Sequence, residues 1–239
     1  MNPQLVLSLF PGIGLLDMAF EEEGFTVVRG PDLLWGGRIQ KFHAMPGRFD
    51  GVIGGPPCQS FSKFVHLVRA NGYQPRHGNL IPEYERVVAE AGPGWFVMEE
   101  VPAAPAPAVA GYGVHSFLLN NRQFGAVQNR RRRISFGWRG ARKVLHVPTV
   151  ALESLEYEHA VTGGPRSRPV AKFAGGQPKR GHSDSKRAVS DMLRLQGLPE
   201  DFDIPPFRVD AKCEAIGNGV PLPMGRAIAR AVKSALEAP

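Results

Sequence analysis

The chain has 239 residues, 43% of them hydrophobic, which is enough to bury one good core and too little for several independent domains. It contains no run of eighteen apolar residues and no basic-then-apolar leader, which predicts a cytoplasmic protein that is neither secreted nor embedded in a membrane. Its two cysteines, Cys58 and Cys213, exclude a disulfide framework and a zinc site, and a formal charge of +7 favours a polyanionic partner.

Residues 4–10 (Gln-Leu-Val-Leu-Ser-Leu-Phe) read as a buried strand, and Pro11-Gly12-Ile13-Gly14 as a tight turn into an amphipathic helix over 15–23. Strand, glycine turn and helix form the first unit of a nucleotide-type fold, with the helix amino terminus facing a ligand. The second half of the dinucleotide fingerprint is missing, which favours a ligand without a pyrophosphate. A second strand, 26–28, ends at Gly30-Pro31-Asp32. A carboxylate there can accept both hydroxyls of a ribose, or can simply cap a turn, so Asp32 carries both readings. Too few residues separate Asp32 from the next strand, 49–53, for the usual second helix.

That strand runs into Gly54-Gly55-Pro56-Pro57-Cys58-Gln59-Ser60-Phe61-Ser62. Two glycines allow a sharp turn, two prolines stiffen it, and the thiol of Cys58 is presented at a strand's carboxyl end, where open α/β sheets bind their ligands. A buried structural cysteine would not need such a rigid polar turn, and a reducing cytoplasm would keep the thiol free. A helix or lid follows over 63–72, then a helix opened by Arg76-His77-Gly78-Asn79-Leu80 and running to about Ala91. Residues 94–98 form a buried strand that ends in Glu99-Glu100-Val101-Pro102; adjacent residues on a strand face opposite ways, so one glutamate alone can enter a pocket. Another strand covers 112–119. Gln128-Asn129-Arg130-Arg131-Arg132-Arg133 then leads into a strand over 134–138, its alternation placing Arg130 and Arg132 on one face.

Residues 139–186 are irregular and glycine-rich and hold nine Lys/Arg against four acids, a composition suited to following phosphates. A helix is predicted over 187–202, through Leu195-Gln196-Gly197-Leu198-Pro199. Then Gly217-Asn218-Gly219-Val220 leads into a last helix over 222–236, with Asn218 open to a plain capping role.

These stretches, in this order from Leu7 to Ile228, resemble the cytosine-C5 DNA methyltransferases, in which Pro-Cys-Gln carries the attacking thiolate. The resemblance implies a Rossmann-like, S-adenosylmethionine-dependent α/β fold with a small irregular target-recognition lobe: a catalytic and cofactor-binding part over 1–138, the recognition region over 139–186, and a return to the catalytic domain over 187–239. It implies catalytic roles for Cys58, Glu99 and Arg132, with Arg130 in support. It implies cofactor contacts at Phe10, Gly12, Gly14, Leu15, Asp32, Ile39, Pro56, Asn218 and Val220. Two positions depart from the family pattern: Arg38 stands where an aspartate reads the adenine amino group, and Glu100 where an asparagine follows the catalytic glutamate. The expected partner is double-stranded DNA, with no metal, and the expected state is a monomer, with a partner subunit as the alternative. The context would be prokaryotic or phage-encoded, such as restriction-modification. A tRNA cytosine methyltransferase and a catalytically inert DNA-binding relative are the competing readings.

Overall fold

In the computed structural model, which describes residues 4–57, 61, 78–150, 156–161, 189–205 and 207–238, a six-stranded sheet forms the centre. Its strands are β1 (Leu5–Leu9), β2 (Thr26–Arg29), β3 (Gly51–Gly54), β4 (Trp95–Glu100), β5 (Tyr112–Asn120) and β7 (Arg131–Arg139), in the order β2-β1-β3-β4-β7-β5. The first four run parallel, and β7 runs antiparallel to both β4 and β5. A two-residue strand β6 (Gln128–Asn129) pairs in parallel with β8 (Glu158–His159) in a separate ribbon.

Strand β4 is buried along its whole length and β3 likewise, as expected of strands covered on both faces, so Trp95 to Met98 and Val52–Ile53 read as apolar runs rather than alternating ones, with β4 ending in the buried Glu99 and Glu100. Helices α1 (Leu15–Glu22) and α5 (Leu222–Glu237) cover one face, where Phe20, Ile53, Trp95, Val97, Ile134, Phe136, Met224 and Ile228 form a core. Helix α2 (Ile81–Ala91) covers the other, over Leu7, Leu9, Val52, Phe96 and Met98. Helices α3 (Val189–Gln196) and α4 (Val209–Asn218) pack through Met192, Leu193 and Ile216 against Ile13, Leu15 and Ala19, so the end of the chain closes on its beginning.

The chain leaves β1 for β2 on one side and then crosses to β3 on the other. The order therefore reverses at β1, and a crevice opens between the carboxyl ends of β1 and β3. The glycine turn follows β1 and the Gly55-Pro56-Pro57 turn follows β3, so both flank this crevice.

Three expected elements differ from those observed. The helix predicted over 187–202 stops at Gln196, because Gly197 takes a left-handed φ of 75° and ends it; residues 187 and 188 lie outside the described residues. The strand predicted over 134–138 begins at Arg131 and ends at Arg139, paired on both sides. Asn218 is the last residue of α4 and not a cap of the final helix, whose N-cap is Pro221. Between β2 and β3 only two single 3-10 turns occur, Leu33–Trp35 and Ile39–Lys41, in keeping with the short spacing. The segment 63–72, where a helix or lid was expected, lies outside the described residues, as do 151–155 and 162–186 of the recognition region.

In the middle of β7, Gly137 faces Phe96, and a Cβ there would lie 2.1 Å from the ring of that fully buried side chain. Gly137→Ala should therefore overpack the core and lower stability by about 1–3 kcal/mol, read as a reduced urea midpoint at unchanged slope.

Candidate active site

The turn after β1 is built from backbone that few residues adopt. Gly12 and Gly14 have φ of 55° and 82°, and Phe10, which is not a glycine, has φ of 57°. Such strain persists only where the surroundings impose it, and here the Phe10 ring packs into the α2-side core. Beneath the turn, Asp17 is fully buried in the first turn of α1; it accepts hydrogen bonds from Ser8 Oγ at 2.5 Å and Arg29 Nε at 2.9 Å. Burial pushes the Asp17 carboxyl above the usual carboxylate range, while Ser8 and Arg29 hold it down. This cluster fixes the amino end of α1 to β1 and β2.

Asp32 performs the turn role considered from the sequence. Its Oδ1 accepts from Leu34 N at 2.7 Å, capping the 3-10 turn, and its Oδ2 accepts from Gly12 N at 2.9 Å. Each carboxylate oxygen has a further lone pair, so the same group can still accept from a ligand hydroxyl. The indole of Trp35 donates to Gly12 O at 2.8 Å, so the turn after β2 holds both peptide groups of Gly12. Trp35 was not foreseen; its signal would have been a large aromatic, 51% exposed, in a turn beside the glycines. A Cβ on Gly12 would meet nothing within 4 Å, so the turn offers bare backbone there, whereas a Cβ on Gly14 would lie 2.3 Å from Arg29 Nη2.

Of the other expected cofactor residues, Ile39 is buried in the core with Leu7 and Leu9, Pro56 is buried in the turn after β3, and Asn218 is exposed at the end of α4. The Leu15 side chain belongs to the core, lying where a Cβ on Gly219 would approach its Cδ1 to 2.5 Å. Val220 is likewise buried.

Cys58 lies outside the described residues, but the turn that carries it does not. A Cβ on Gly55 would be 3.1 Å from Glu99 Oε2, so the Glu99 carboxylate rests against this turn three residues before the cysteine. Arg132 Nε approaches Glu99 Oε1 to 2.8 Å, an ion pair whose N–H is not aimed along a hydrogen bond, and Arg132 Nη1 donates to Arg131 O at 2.7 Å. Register explains the meeting: Glu99 faces Ile134 across the antiparallel pair, and Arg132 is two residues from Ile134 on the same face. Glu100 and Arg133 face each other on the opposite side, where Arg133 donates instead to Pro102 O at 2.9 Å and Ser116 Oγ at 3.2 Å. The adjacent glutamates therefore divide as alternation requires.

Glu100 is 1% exposed, its Oε2 accepts from Val101 N at 2.8 Å, and its Oε1 has no partner among the described residues. Burial, with Glu99 adding to it, pushes its carboxyl up to about 8 against the opposing effects of the Val101 amide and Arg132. Near neutral pH Glu100 is thus mainly the neutral acid, one oxygen able to donate and the other to accept, as in an amide.

Arg130 leaves Glu99 altogether. Fully buried, it donates to Val161 O, to Gly217 O at 2.9 Å and to Gly219 O at 3.0 Å. Gln128 Nε2 donates to Leu195 O at 2.5 Å, its Oε1 accepts from Val161 N at 3.3 Å, and Gln196 Nε2 donates to Ile216 O at 2.6 Å and Gly219 O at 3.0 Å. The Gln-x-Arg stretch, the Leu-Gln-Gly stretch and the Gly-Asn-x-Val stretch are thus joined by one buried network. In the sequence Gln128 and Gln196 are visible only as members of motifs, without their partners.

Residues 37–163 and 156–234 match the family model described as C-5 cytosine-specific DNA methylase. The chain belongs to this family. It is a DNA cytosine methyltransferase, and membership implies S-adenosylmethionine as the methyl donor. It is 25% identical over 334 residues to the Type II methyltransferase M.NgoPII of Neisseria gonorrhoeae, covering 99% of this chain and 97% of that protein. Since 334 aligned positions exceed the 239 residues present, the relative has positions without a counterpart here. It is 32% identical over 165 residues to the Type II methyltransferase M.FnuDI of Fusobacterium nucleatum, covering 56% of this chain and 46% of that one. The fold is similar to that of the Entamoeba histolytica methyltransferase EhMeth, with a TM-score of 0.69, 11% identity and full coverage of both chains. Among the described residues no helix is long and apolar enough to cross a membrane, and no cluster of His, Cys, Asp and Glu could hold a metal ion.

Because the Glu100 carboxyl lies at about 8 in the folded chain against an ordinary 4.5, the folded state loses stability as pH rises between these values, and the cost is complete above them. Glu100→Gln removes that titration. The difference in melting temperature between the variant and the natural protein should shift in the variant's favour from about pH 4.5 to about pH 8 and then level off. A difference constant across this range would mean that Glu100 is ionised throughout.

Proposed function

We propose that the protein transfers a methyl group to carbon 5 of a cytosine flipped out of duplex DNA, through a covalent bond to Cys58. The observation that carries this reading is the Glu99–Arg132 pair resting on the turn that bears Cys58. Carbon 5 of cytosine is a poor nucleophile. Addition of the Cys58 thiolate to carbon 6 breaks the ring's aromaticity and turns carbon 5 into an enamine carbon. Glu99 hydrogen-bonds N3 and the exocyclic amine, and Arg132 meets the O2 oxygen as negative charge builds there. Once carbon 5 carries the methyl group it gives up its proton to a base, the carbon 6–sulfur bond breaks, and Cys58 leaves as thiolate. Within a duplex carbon 6 is out of reach, so the base must leave the stack, at a cost of a few kcal/mol.

The donor, when bound, supplies an electrophilic sulfonium methyl. The residues present suit it: the glycine turn at the amino end of α1, with the Arg29 guanidinium beside Gly14, would receive its carboxylate, Phe10 would pack against it, Asp32 would accept from its ribose, and the backbone at Ile39 would line its adenine. Arg130 supports the site through the carbonyls at the end of α4, next to Asn218 and Val220. The basic segment 139–186 follows the DNA backbone, with 1–138 and 187–239 forming the catalytic body.

Duplex DNA of mixed sequence incubated with labelled S-adenosylmethionine should acquire label in 5-methylcytosine, while tRNA should not. Cys58→Ala should abolish transfer, and Glu99→Gln should slow it by about 10²–10⁴-fold. DNA carrying 5-fluorocytosine should become covalently joined to the natural protein, and not to Cys58→Ala, on a denaturing gel when the donor is present. Label entering tRNA instead of DNA, or no adduct with 5-fluorocytosine, would overturn the reading.

Asp32→Ala removes the carboxylate that holds Gly12 N and caps the 3-10 turn. Cofactor affinity measured by calorimetry should fall by about tenfold or more, equivalent to about 1.4 kcal/mol.

A further inference from the structure

Where doubly wound sheets place a crossover helix between β2 and β3, this chain has only the two 3-10 turns, and each supplies too few hydrogen bonds to fix its own position. The chain first folds back on itself, Gly37 N donating to Asp32 O at 2.9 Å, which returns Gly37 to Pro31 and Asp32 just before Arg38 and Ile39. From there to residue 47 it is held by α2. Arg86 Nη2 donates to Ile39 O at 2.8 Å and to Phe42 O at 3.0 Å. The guanidinium is itself oriented from both sides along the helix, Nε donating to Glu83 Oε2 at 2.9 Å and Nη1 to Glu90 Oε1 at 2.6 Å. Glu90 completes the clasp: its Oε2 accepts from Ala44 N at 3.2 Å and its Oε1 lies 3.1 Å from His43 Nδ1, while Gly47 N donates to Ala91 O at 2.9 Å.

The consequence is local and directional. Arg86, with a side chain 29% exposed, occupies the carbonyls of Ile39 and Phe42 from below, and this turns the buried Ile39 side chain into the same core as Leu7, Leu9 and Phe10. Arg38 is exposed and its side chain makes no capping bond, so recognition on this wall falls to backbone whose placement is set elsewhere.

We propose that Arg86 is a positioning residue for the methyl donor: by gripping the Ile39 and Phe42 carbonyls it sets the backbone wall that the donor's adenine rests on, in place of the missing helix. This rests on the reading of Ile39 as the adenine contact. A lysine could replace the charge but not the fork that holds two carbonyls and two carboxylates at once.

The test compares Arg86→Gln and Arg86→Lys with the natural protein. Calorimetry with S-adenosylmethionine should show Kd raised by about tenfold in Arg86→Gln, a loss of about 1.4 kcal/mol, with Arg86→Lys between the two. The rate of DNA methylation at saturating donor and the affinity for duplex DNA should stay within about twofold, because neither Glu99 nor Arg132 touches the clasp. Amide exchange should quicken at residues 39–44 and nowhere else, which a general loss of stability would not produce. A folded Arg86→Gln variant that binds the donor as the natural protein does would overturn the proposal alone, as would a fall in saturated rate equal to the fall in affinity. A natural protein that binds no S-adenosylmethionine would overturn the cofactor reading and the proposal together.

Discussion

The buried carbonyls that end α4 have too few backbone donors, Gly219 N reaching Ile216 O at 3.2 Å, and a buried carbonyl short of partners is costly. Arg130 and Gln196 supply those donors at Ile216, Gly217 and Gly219, and Gln128 secures Gln196 and Leu195 in turn. Side chains from the approach to β7 and from α3 thus determine where the last quarter of the chain sits. That placement brings Gly219 onto Leu15 at the start of α1, next to the glycine turn. The cofactor side of the crevice depends on this network as much as on the glycines that line it.

The antiparallel course of β7 is the second constraint. Parallel strands deliver their carboxyl ends to one edge of the sheet and their amino ends to the other. A strand running the opposite way delivers its amino end to the reactive edge, and β7 brings Arg131 to Arg133 alongside Glu99 and Glu100. Pairing register then selects among adjacent arginines. Arg132 shares a face with Glu99, Arg133 turns to Pro102 and Ser116, and Arg130, before the strand begins, is free to reach α4.

Two neighbouring carboxyls sit in different surroundings. Glu99 has a guanidinium at 2.8 Å, while Glu100, one residue on, has burial and its neighbour's charge and keeps a proton near neutral pH. A neutral acid at a position where the family carries asparagine retains one donor and one acceptor, so the departure in sequence is smaller in hydrogen-bonding chemistry than in formal charge.

The six strands of the central sheet and the glycine and proline turns were legible in the sequence, since apolar runs and backbone-permissive residues act within a few positions of themselves, whereas the two-residue strands β6 and β8 and the helix α4 were not. Alternation along a strand is equally local, which is why the separation of Glu99 from Glu100 could be anticipated. Tertiary structure alone decided the rest. Arg86 on the amphipathic α2 looks like any solvated charge until Ile39 and Phe42 meet it across more than forty residues, and Trp35 looks like a turn aromatic until Gly12 accepts its indole N–H. Arg130 shares its alternation with Arg132, yet its position outside the strand sends it to carbonyls nearly ninety residues away. Polar side chains announce their type in sequence, but their partners are chosen by whichever buried backbone groups the packed chain leaves unsatisfied.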